Sequence, residues 1–150
     1  MRGITLLEIL VALSIFGLLG TFGVTTLSGF KKAIDLSGAA DTTIAMLEDA
    51  RSRTRFSNDR SQYGIHFATN RVTLFRGVSY VEGAPENEST TLPQTVEIST
   101  VTLTGGGSDV LFEVLTGEAN KTGTVIIRLK SDVSKTRIVE IQQSGVAGIQ

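Results

Sequence analysis

The chain has 150 residues, a net charge of −1 and no cysteine, with a pI of about 5.8. That length holds one domain beside a terminal segment, and the charge excludes a global basic field of the kind that recruits nucleic acid. Without thiols there is no disulfide framework, no cysteine nucleophile and no cysteine-based zinc site.

The first element is an apolar run opened by an acid. Between Ile4 and Phe30 the one charged residue is Glu8. Ile9 to Leu27 is 19 residues, roughly 28 Å as a helix, enough to cross a bilayer core. A carboxylate at the head of such a segment costs up to a few kcal/mol in lipid. A cation brought by a neighbouring copy of the chain is the nearest remedy. The run is too long for a secretory signal peptide, and Thr25 to Phe30 offers a poor cleavage site. A plain membrane anchor accounts for the length but leaves Glu8 unexplained. Arg2 on one side and Lys31 and Lys32 on the other make the positive-inside rule indecisive. Gly17, Gly20 and Gly23, with Thr25 and Thr26, weaken a helix in water and permit close helix packing in a bundle.

Gly3 followed by Ile4-Thr5-Leu6-Leu7-Glu8 and Ile9-Leu10-Val11-Ala12-Leu13 resembles the class III signal of type IV prepilins and pseudopilins. The resemblance implies cleavage after Gly3 by a prepilin peptidase, methylation of the new Ile4 amine, and a cytoplasmic N-terminus. It further implies that Glu8 neutralises the Ile4 amine of an adjacent subunit during filament assembly. The residues agree with that role, because a free α-amine with a pKa near 8 is mostly charged at neutral pH. Met1-Arg2-Gly3 is shorter and less basic than the leaders usual in that family, which leaves either a short leader or a start upstream.

Beyond the span the helix is expected to continue. Ile34, Ala40, Ile44, Leu47 and Ala50 follow the 3.6 period, with Asp35, Asp41, Glu48 and Asp49 mostly off the stripe. One helix is therefore expected from about Thr5 to about Phe56, with Gly38 as a weak point. Its first half is apolar all round and its second amphipathic.

The remainder reads as strands. Tyr63, Ile65 and Phe67 alternate with polar partners, a turn at Thr69-Asn70 follows, and Val72 and Leu74 open a second strand. Gly77 to Gln94, with two prolines and several glutamates, reads as a solvated loop. Val96 and Ile98 alternate out of phase with Val101 and Leu103, which predicts a bulge near Thr100. Gly105 to Ser108 is a turn before a strand carrying Val110, Phe112 and Val114. Val125, Ile127 and Leu129 make another, and Ser131 to Ser134 turn into a last strand with Arg137, Val139 and Ile141. About six strands and a glycine-rich tail result.

A second resemblance covers the C-terminal half. Phe112 to Gly117, Gly123 to Ile127, and Arg137 to Ile141 with Gly145 are similar to GspH/FimT-type minor pilins, as is Ala50 to Thr54 running into Tyr63-Gly64-Ile65. The expected architecture is α+β and pilin-like. Residues 1–3 are a leader, 4–30 a transmembrane and filament-core helix, 31–57 its amphipathic continuation, and 58–150 a domain of antiparallel β-sheet. The implied partners are prepilin peptidase, other copies or other pilins, and an inner-membrane assembly platform. The implied location is the bacterial inner membrane, then a periplasmic or extracellular filament.

Candidate chemistry is sparse. His66 falls on the polar phase of its strand and, as the only histidine, anchors no metal site. Gly117 to Gly123 lacks the Gly-Lys pair of a phosphate loop and reads as a hairpin turn. No serine carries a nucleophile-elbow context. Neither an enzyme nor a cofactor is expected. Arg51, Arg53, Arg55 and Arg60 crowd the helix end, where they complement its negative pole with Asp49 and Asp59 as partners. Joined with Arg128, Lys130, Lys135 and Arg137, they form the alternative of a phosphate-binding patch. Some FimT-type pilins bind DNA for uptake through basic C-terminal regions, so that resemblance implies the same for these four residues. Asp132 and Glu140 interrupt the charge, and no aromatic is interleaved for stacking.

Overall fold

In a computed structural model, residues 5–57 and 60–150 are described, except the side chains of 19–28. One helix, α1, runs over Leu6–Phe56. Eight strands follow: β1 (Tyr63–Ala68), β2 (Arg71–Arg76), β3 (Glu88–Thr91), β4 (Val96–Leu103), β5 (Asp109–Leu111), β6 (Gly123–Leu129), β7 (Asp132–Ile141) and β8 (Ala147–Ile149). They form two antiparallel sheets, ordered β3-β2-β1-β5 and β4-β6-β7-β8. The chain divides into two compact units, Met1–Ile34 and Asp35–Gln150.

Within the second unit, the helix buries Leu36, Ala39, Ala40, Thr43, Leu47, Ala50 and Thr54. These positions recur at three and four residues, which keeps them on one face. Their apolar members join Ile65, Val72, Leu74, Val96, Val110, Phe112, Val125, Ile127, Val139 and Ile141 in one core cluster fed by both sheets. Thr43 and Thr54 are tolerated there because each hydroxyl donates to a carbonyl four residues back. Ile34, expected on the stripe, is 54% exposed and belongs to the first unit. At Gly38 the helix continues unbroken, and the Thr42 hydroxyl donates to the Gly38 carbonyl.

The β1–β2 hairpin forms in the expected register, with Ile65 opposite Leu74. The predicted bulge lies between Ile98 and Thr100. Several expectations are corrected. The loop of residues 77–94 contains β3, whose four residues are all exposed; pairing with β2 makes it a strand, so no hydrophobic alternation marks it. The strand expected through Val114 ends at Leu111, since Phe112 makes only an isolated bridge to Ala119 before the chain reverses. The Glu113 amide donates to Glu118 O and the Gly117 amide to Glu113 O, so the reversal spans residues 113–118 and only its end falls in the expected turn of Gly117 to Gly123. The strand expected after the Ser131 to Ser134 turn already starts at Asp132, inside that turn, and the tail forms β8.

A second, smaller cluster covers the other face of the first sheet. Leu74 points into the main core, so Phe75 points away, yet Phe75 is only 1% exposed. Tyr80 covers it edge-on at 5.7 Å between ring centroids. Gly64 lies opposite Phe75, and a Cβ there would sit 2.6 Å from the Phe75 ring. Only glycine leaves that ring its place.

Candidate assembly surfaces

At the start of α1, Thr5 precedes the first helical residue, Leu6. The Glu8 amide donates to the Thr5 hydroxyl at 3.3 Å and to its carbonyl at 3.1 Å. Thr5 is thus the N-cap and Glu8 occupies the third helical position, the T-x-x-E pattern of a capping box. The unpaired amides of the first turn favour a carboxylate there. This local role for Glu8 was legible in the spacing from Thr5, but the sequence reading did not draw on it. Gly3 and Ile4, expected to carry processing and pairing, lie outside the described residues.

Around Glu8 the described helix surface is exposed and apolar, including Leu6, Leu7, Leu10, Leu13 and Phe16. Among the described residues no helix is long and apolar enough to cross a membrane. The side chains of 19–28, part of the expected span, lie outside the described residues.

The helix's C-terminal end is tied to the sheet domain by side chains. The Thr54 hydroxyl accepts the Tyr63 amide at 3.0 Å and so fixes where β1 begins. Arg53 bridges two acids, Asp49 at 2.8 Å and Glu88 on β3 at 2.9 Å. These bonds raise the Arg53 pKa, and the one from Arg53 holds the Glu88 carboxyl below the usual carboxylate range. Arg51 Nε donates to the Gly117 carbonyl at 3.1 Å. Gly117 and Gly145 have φ of +70° and +79°. A Cβ on Gly117 would lie 2.5 Å from Arg55 Cδ, and one on Gly145 would collide with the Gly117 carbonyl oxygen. Two glycines far apart in sequence therefore meet on the arginine stems at the helix end. Arg53 pairs with Asp49 as the sequence suggested, whereas Asp59 lies outside the described residues.

The four basic residues of the last hairpin are not all on one face. Arg128 is opposite Thr136 and Arg137 is opposite Ile127. Cross-strand partners share a face and neighbours alternate, so Arg128 and Arg137 lie on opposite faces of their sheet. Arg128 pairs with Glu97 at 2.7 Å. Lys130 sits in the turn after β6, its amide donating to Thr95 O, and Lys135 is exposed on β7.

His66 is less exposed than its place on the polar phase suggested. Its Nδ1 lies 2.6 Å from Asp109 Oδ1, and its ring stacks on Tyr80 at 3.9 Å and 4°. The Tyr80 hydroxyl donates to Glu82 at 2.5 Å, and Arg71 pairs with the same carboxylate. That bond to Glu82 raises the Tyr80 phenol above its ordinary value. Glu82 is lowered by Tyr80 first and by Arg71 second. Among the described residues no group of three His, Asp or Glu could hold a metal ion.

No protein-family model matches the chain, and no curated protein matches it in sequence. Solved structures do match. The type IV minor pilin FimU of Pseudomonas aeruginosa, in two crystal forms, superposes with TM-scores of 0.57 and 0.58 at 18% and 17% identity. The match covers 77% and 81% of this chain and 92% of FimU in each. The minor pseudopilin EpsH of the Vibrio cholerae type II secretion system superposes with a TM-score of 0.56 at 16% identity, over 77% of this chain and 96% of EpsH. At these identities the likeness is one of fold: the chain has the α+β pilin-like fold of minor pilins and minor pseudopilins.

Proposed function

We propose that the chain is a structural subunit of a type IV pilus or a type II secretion pseudopilus, not an enzyme. The observation that carries this reading is the conjunction of that fold with Glu8 as the lone charge of an apolar helix start. On this reading prepilin peptidase cuts after Gly3 and methylates the Ile4 amine. The apolar segment holds the subunit in the inner membrane until an assembly platform draws it into a filament with other pilins. Glu8 then pairs with the Ile4 amine of a neighbour. In lipid each of these charges needs a counterion, so their meeting sets the register of helix stacking.

The test is a pair of variants in the native host. Gly3→Ala blocks processing, and the unprocessed chain is read by mass. Glu8→Ala is processed normally and enters filaments poorly. Normal incorporation of Glu8→Ala would remove the role given to the acid.

A further inference from the structure

The two flanks of the helix's C-terminal end differ in charge. At about 100° per residue, Arg51 and Arg55 lie about 200° and 240° around the helix from Asp49, while Arg53 lies about 40° from it. The buried residues Leu47, Ala50 and Thr54 fall between the two flanks. On the Asp49 side, one guanidinium, Arg53, is shared by two carboxylates, which leaves net negative charge. The loop leading into β3 adds the exposed acid Glu86 and the exposed apolar Val78 and Val81. That loop is pre-shaped, because Val81 O accepts both the Ala84 amide and the Asn87 side chain.

The other flank is a groove lined by Glu48, Arg51, Ser52, Arg55, Phe56 and Val146. Phe56 is 74% exposed, with the Arg55 guanidinium 5.6 Å from its ring centroid. Among the described residues Arg55 has no carboxylate partner, and Arg51 is bonded to a carbonyl instead. Close by, the turn before Gly117 holds Leu115 at φ +74° with its side chain 74% exposed. A bulky residue in left-handed backbone is costly, and here the strain displays an apolar side chain.

We propose that this basic, apolar groove receives the acidic, valine-bearing loop of a second copy of the chain, with Arg55 facing Glu86 across the contact. The two surfaces lie on opposite flanks of one molecule, so the contact is heterologous and repeats from copy to copy. It rests on the filament reading and names the faces through which neighbouring sheet domains meet.

The native chain has no cysteine, so introduced thiols report alone. Full-length copies carrying Leu115→Cys and differently tagged copies carrying Val81→Cys are co-expressed in the native membrane and oxidised. The mixed disulfide dimer is expected to exceed either like pair. Within that pair of copies, Arg55→Glu or Glu86→Arg alone lowers the yield about fivefold through like-charge juxtaposition, and the two together restore it. Both sites are exposed, so an unchanged thermal melt confirms intact folding. Loss with Arg55→Glu that Glu86→Arg fails to restore would overturn the second copy as occupant. A yield indifferent to both reversals would overturn the contact altogether. If the yield ignores both reversals yet falls with Glu8→Ala, the filament reading stands and this inference alone fails.

Discussion

The start of the helix and the sheet domain solve opposite problems. In the sheet domain the core apolar side chains are covered by the chain itself: Ile65, Phe112, Val125 and Ile127 have no exposed surface. At the helix start Leu6 is 78% exposed, Leu13 64% and Phe16 74%, and the one acid has no cation from its own chain among the described residues. The core of the sheet domain is complete within one copy. The helix start is exposed apolar surface of a kind that soluble monomers rarely keep. The fold is thus secured by the buried residues of the sheet domain, while the proposed assembly relies first on the exposed helix start.

Substitutions can break that division. Phe112→Ala in the core is expected to cost about 3–5 kcal/mol and abolish cooperative melting near physiological temperature. Leu13→Ala is expected to leave the melt within about 0.5 kcal/mol, as surface changes do, while lowering filament incorporation. Equal effects of the two on the melt would erase the distinction. Gly145→Ala comes next, costing more than about 1 kcal/mol, because it needs both a left-handed backbone and space the Gly117 carbonyl fills. A melt unchanged by Gly145→Ala would show that the junction at Arg51 is loose.

The smallest effect concerns β3. Glu88 has a lowered pKa when folded, so its contribution is present above the ordinary carboxylate value of about 4.3 and is lost as pH falls through the folded value. The pair with Arg53 is largely exposed, so the change is at most about 1 kcal/mol. Glu88→Gln should lower stability by up to about 1 kcal/mol at pH 7 and hardly alter it in acid below the folded value, flattening the profile between the two. A profile identical to that of the unsubstituted chain would detach β3 from this ion pair.

What was legible in the sequence follows the same division. Glu8 stood out because a charge in an apolar run is an anomaly that needs no structure to see. The β1–β2 hairpin and the bulge in β4 were legible because short-range alternation sets register. By contrast, Glu88–Thr91 is exposed on every residue and becomes a strand only through its neighbour. β5 pairs with β1, from which the long loop and two other strands separate it. Arg51 reaches Gly117 across 66 positions. The cover of Tyr80 over His66 and Phe75 was hidden because the loop carrying it has the composition of solvated chain. Periodicity reports only what neighbouring residues share, and these contacts are made by packing.

The measurement that bears most directly on the assembly account is the intact mass and N-terminal residue of the protein purified from its native membrane. The account predicts a chain that begins at Ile4 with a methylated amine. A chain still beginning at Met1, with prepilin peptidase present in the same membrane, would contradict it.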